Sequence, residues 1–91
     1  MARISIDKAL SWVLRHSGQL HPGECLDLLC KKRNRLIRVV RTKEGFRLEE
    51  RGFFKEDFFT QGGKEFQKLL ERLILREFPR SHMLWAFKRR A

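Results

Sequence analysis

An α+β domain is predicted: two N-terminal helices, a β-hairpin, an amphipathic helix and a C-terminal strand, forming a small antiparallel sheet covered by helices. Three observations predict it. Apolar residues recur at helical spacing over residues 6–14 and again over 66–78. Residues 36–49 hold a β-branched run and an alternating run, separated by a turn-like Lys43-Glu44-Gly45. The length of 91 residues suits one compact domain spanning 1–91, with a small core.

The elements follow in order. Ile6, Ala9, Leu10, Val13 and Leu14 make the apolar face of a first helix, with Ser5 placed to cap it and Gly18 to end it. Pro22 suits the first position of a second, shorter helix that carries Cys25, Leu26, Leu28 and Leu29 and ends near Asn34. Leu36 to Arg41 reads as a strand. Gly45 supplies a positive φ to the turn if one is needed, and Phe46 to Glu49 completes the hairpin. Between Arg51 and Gly63 the paired Phe53-Phe54 and Phe58-Phe59 fit neither period, so a packed loop or short helical turn is expected. Phe66, Leu69, Leu70, Leu73, Ile74 and Phe78 form the stripe of a third helix, stopped by Pro79. Met83, Trp85 and Phe87 then alternate with His82, Leu84 and Ala86 in a last strand, making three antiparallel strands in all.

Charge narrows the function. Lys and Arg total 21 against 11 Asp and Glu, a net charge of +10. A polyanion relieves that self-repulsion, and nucleic acid is the commonest one because each neutralised phosphate releases a condensed counterion. The excess concentrates on the hairpin, where Arg33, Arg35, Arg38, Arg41, Lys43 and Arg47 fall within fifteen residues. Arg41 and Lys43 can share one face of a strand, with Arg38 on the other. Such a hairpin can meet phosphates across a groove; the alternative is a solvated basic face. Trp85 and Phe87 interleave with Lys88, Arg89 and Arg90. Period two makes Met83, Trp85 and Phe87 the core face of the last strand, with base stacking as the alternative. Lys88-Arg89-Arg90-Ala91 reads as a flexible tail that contacts phosphates.

The first helix, Lys8-Ala9-Leu10-Ser11-Trp12-Val13-Leu14-Arg15-His16, resembles the opening motif of the RNA 2′-phosphotransferases, NAD-dependent enzymes that remove a splice-junction 2′-phosphate from tRNA. Lys8, Leu10, Ser11, Leu14, Arg15 and His16 match, and Asp7 replaces a serine. The resemblance extends, less specifically, over Leu28-Leu29, Leu36 to Thr42 and Phe46-Arg47-Leu48, and spans roughly residues 4–50. It implies a winged-helix-like lobe in which Arg15 and His16 join the basic set that meets RNA. It is also the source of an expected preference for RNA over DNA. The family's Arg-Ala-x-Gln-Gly-His-Ser motif is absent after the hairpin, which instead reads Glu49-Glu50-Arg51-Gly52-Phe53-Phe54, and a lobe to hold NAD does not fit this length. A non-catalytic relative is what remains, with no cofactor expected.

Other chemistry is weakly encoded. Cys25 and Cys30, with His16 and His21 upstream, match no common zinc spacing, and free thiols are expected. No Gly-x-Ser-x-Gly motif is present. Gly62-Gly63-Lys64 falls short of a phosphate loop. The N-terminal residues lack the apolar run of a signal peptide and no stretch approaches a membrane span, so an intracellular protein is expected. The competing reading is a small protein-interaction subunit. Its basic face would meet an acidic partner, with Phe53, Phe54, Phe58 and Phe59 exposed together as an apolar patch.

Overall fold

The computed structural model describes residues 2–90. Along the chain come β1 (Ala2–Ser5), α1 (Ile6–Ser17), β2 (Glu24–Leu29), β3 (Leu36–Arg41), β4 (Phe46–Arg51), β5 (Lys55–Thr60), α2 (Gly63–Glu77) and β6 (Met83–Arg90). The strands form one sheet in the order β1-β6-β2-β3-β4-β5, antiparallel at every step. The α+β class holds, while the sheet has six strands rather than three. No helix among the described residues is long and apolar enough to cross a membrane.

Both helices stand where the 3.6-residue period puts them. Ala9, Val13 and Ser17 are the buried positions of α1, whose first turn carries Asp7 and whose last turn carries Arg15 and His16, each sign complementing the helix dipole. Gly18 closes this helix in a right-handed conformation (φ −67°), and the Ser5 side chain makes no capping bond. In α2 the buried face is Phe66, Leu70, Leu73, Ile74 and Glu77. The two helices cover one face of the sheet, where Leu26, Leu28, Ile37, Val39, Leu48, Leu84 and Ala86 complete the core.

Four expectations change. The segment expected as a second helix is β2, lying between β6 and β3 at the sheet's centre. Strand β2 is buried almost continuously from Cys25 to Leu28, by the helices on one side and by neighbouring side chains such as Arg38 and Arg89 on the other, and such a short apolar run has no readable period. The presumed Phe-rich loop contains edge strand β5, and β1 adds the opposite edge. The basic tail is no tail: β6 runs on through Arg90, with Lys88, Arg89 and Arg90 in register with Leu26, Cys25 and Glu24. Ala91 lies outside the described residues. Finally, β6 faces the other way from its expected orientation. Leu84 and Ala86 lie beneath the helices, which leaves Met83, Trp85 and Phe87 half-buried on the uncovered face.

Gly45 is needed for close approach rather than for a positive φ, which among the glycines belongs to Gly23, Gly62 and Gly63. A Cβ at residue 45 would press on the Thr60 carbonyl and lie 2.8 Å from Gln61 Cα, both backbone atoms of the strand exit beside it. Gly45→Ala is therefore expected to cost about 1–3 kcal/mol, seen as a lower denaturant midpoint at unchanged m-value.

Candidate nucleic-acid interface

Strand alternation and register define the uncovered sheet face as three rows. The first runs Arg3, Trp85, Leu29, Leu36, Arg51, Lys55, an apolar centre with a cation toward each end. The second runs Phe87, Asp27, Arg38, Glu49, Asp57, and the third Arg89, Cys25, Val40, Arg47, Phe59.

The second and third rows neutralise themselves. Asp27 is buried and accepts two bonds from Arg38, Nε to Oδ1 at 2.8 Å and Nη2 to Oδ2 at 3.1 Å, while Arg89 Nε lies 3.4 Å from its Oδ2. Arg47 pairs with Glu49 at 2.9 Å, and Arg51 with Asp57 at 2.7 Å. These partners push the Arg38 and Arg51 guanidinium pKa values further up, and Arg51 holds the Asp57 carboxyl below its ordinary value. Three arginines expected to meet phosphate, Arg38, Arg47 and Arg89, are thus spent on neighbouring carboxylates. Lys88 likewise lies 3.5 Å from Glu24.

Five cations gather at one end of the sheet. The β2–β3 turn, the α2–β6 connection and β1 meet there around a hollow of about 480 Å³. It is lined by Arg3, Lys31, Lys32, Arg35 and Arg80, with Cys30, Asn34, Ser81, His82 and Met83. No carboxylate is among its described lining residues, and none of the five cations forms an ion pair among the described residues. Arg33, at φ 61°, sits exposed in the same turn. A smaller hollow of about 160 Å³ shares Arg3, Lys31 and Met83 with this groove and continues it to Trp85. Sequence reasoning misses Arg3, Lys31, Lys32 and Arg80.

The remaining expected phosphate-binding residues scatter. Arg41 lies on the helix side, donating to the Gly45 carbonyl at 3.0 Å and covering the Phe46 ring at 5.0 Å. Lys43 is exposed in the hairpin turn, at the far end of β3 from the groove. Arg15 is exposed on α1, and His16 donates from Nδ1 to the Trp12 carbonyl at 2.8 Å and packs on the Trp12 ring. Both belong to the helical layer and line neither hollow.

The four phenylalanines do not form one patch. Phe58 packs against the core and Phe59 is exposed on the uncovered face. Phe53 and Phe54, 56% and 44% exposed, occupy the β4–β5 turn beneath two guanidiniums, Arg35 at 3.6 Å and Arg76 at 4.1 Å.

The thiols offer little chemistry. Cys25 and Cys30 are free and buried. Burial first, and then the Asp27 charge, pushes the Cys25 thiol up, away from the thiolate that a nucleophile or metal ligand requires. No cluster of three metal-ligating side chains occurs among the described residues.

Comparison with protein-family models, curated proteins and solved structures finds no match to this chain.

Proposed function

We propose that this chain is a non-enzymatic nucleic-acid-binding protein that holds the phosphate backbone in the groove between the β2–β3 turn and the α2–β6 connection. The observation that carries this reading is the convergence of Arg3, Lys31, Lys32, Arg35 and Arg80 on one hollow with no carboxylate in its described lining. Uncompensated cations in a concave site concentrate polyanions and speed their encounter. The basic hairpin expected from the sequence gives way to this groove as the main binding surface. RNA is favoured over DNA on the strength of the motif at Lys8 to His16.

Titration of labelled RNA and DNA at several salt concentrations tests the proposal. Affinity should fall linearly on a double-logarithmic plot, with a slope that counts the phosphates neutralised. Weak binding with no salt slope would sink it.

Glu49→Gln offers a gain-of-function check. Glu49 engages both Arg47 and Arg38 on the uncovered face. Neutralising it releases positive charge there, so binding at low salt should tighten by a fewfold, an increase that added salt erases.

A second reading draws on the exposed Phe53-Phe54 turn, which would suit a protein partner. A partner retained after nuclease treatment and lost on Phe53→Ser would favour it.

A further inference from the structure

We infer that the uncovered sheet face beside the groove is a base-stacking platform centred on Trp85, which makes the ligand class single-stranded nucleic acid. This rests on the groove's holding phosphates and deepens that reading. A duplex keeps its bases stacked inside and can offer the groove only its backbone. A single strand can lay unstacked bases on an aromatic ring while its phosphates follow a positive channel.

The geometry supplies both parts side by side. The groove and the smaller hollow share Arg3, Lys31 and Met83, and the smaller hollow ends on Trp85. The Arg3 guanidinium stands 5.9 Å from the centre of the Trp85 ring, so a cation accompanies the strand from groove to platform. Trp85 is half-buried, flanked in register by Arg3 on one side and Leu29 on the other, with Leu36 beyond. Phe87 lies two residues along the same strand, about 7 Å away, and faces the same side. The apolar row is therefore a floor for flat rings with cations at its border. Those cations distinguish it from a surface made for an apolar protein partner, and no helix among the described residues covers it.

The chain has two tryptophans, so Trp12→Phe leaves Trp85 as the sole indole reporter. In that background a mixed-sequence single-stranded RNA should quench the emission, and its blunt duplex should not. Trp85→Leu, which keeps an apolar side chain for the fold, should weaken single-strand binding about five- to 150-fold. It should leave duplex affinity and the salt slope unchanged, and Trp85→Phe should restore most of the loss. If Trp85→Leu binds single strands as the parent does while the parent shows its salt slope, the platform is overturned and the groove stands. Equal affinity for single strand and duplex with no change in emission overturns it too. Absence of salt-dependent binding in the parent overturns both.

Discussion

Replacing Lys31 and Lys32 by alanine is expected to weaken single-strand binding about fivefold per lysine at 0.1 M salt, because each phosphate left without its cation flattens the log–log salt slope by about 0.7. For a duplex the figure rises to about eightfold, with a slope change of about 0.9 per phosphate. The same substitution at Arg38 or Arg47 should change affinity much less. Those guanidiniums already face Asp27 and Glu49, and removing them leaves a carboxylate behind rather than an empty phosphate seat. All four residues add one charge to the +10 total, yet only the two lysines line a hollow without acids. Fluorescence anisotropy across a salt series reads both the affinity and the slope. Equal losses from the lysine and arginine variants would mean that net charge, not the groove, carries binding.

The difference between these two pairs also shows where sequence reasoning stops. Both amphipathic helices are legible because each buries one side only, so the period survives in the residue pattern. The β3–β4 hairpin is legible through its β-branched run and turn. Strand β2 is not, because its central place buries Asp27 beside Cys25, Leu26 and Leu28, and that polar residue is kept inside by Arg38. Strand β5 opens Lys55-Glu56-Asp57, the charged protection of a sheet edge, and those charges mask its alternation. For β6 the period is readable but not the face, since larger rings point outward and Leu84 and Ala86 inward. The groove draws on segments around residues 3, 31–35 and 80–83, joined only by the β1-β6-β2-β3 order, which no local pattern encodes. One local signal exists. Lys31-Lys32-Arg33-Asn34-Arg35 contains no acid, whereas the hairpin arginines are interleaved with Glu44, Glu49 and Glu50.

The largest stability effect is expected at Glu77, a carboxyl in the buried stripe of α2. It is fully buried, and accepts the backbone N–H groups of Phe53 at 3.0 Å and Phe54 at 3.2 Å. Its carboxyl also occupies the space a side chain at Gly52 would need. Glu77→Ala strands both donors, for a loss of about 3 kcal/mol out of about 5–14 kcal/mol for a domain of this size. The pH dependence carries a sign. Burial, then the hydrogen bond with Glu50, pushes Glu77 above 4.5. Glu50 is also buried, but Arg76, at 2.9 Å from Nε to Oε2, and the bond with Glu77 outweigh burial and hold it below 4.5. Glu77's contribution is fully present below 4.5 and lost as pH rises through its raised value. That of Glu50 is present above 4.5 and lost as pH falls through its lowered one. Stability from the pair therefore peaks between the two values, where one proton is shared. Glu77→Gln imitates the protonated partner, so its stability relative to the parent should climb as pH rises past the raised value. Urea titrations on either side decide this, and a Gln variant that tracks the parent at every pH would refute proton sharing. The consequence reaches the groove through Arg35, which lines it, donates to the Glu77 carbonyl at 3.5 Å and stacks on Phe53. Glu77→Ala frees that turn and should loosen Arg35 and lower nucleic-acid affinity, whereas Glu77→Gln keeps one oxygen to accept one of the two N–H groups and should lower affinity less.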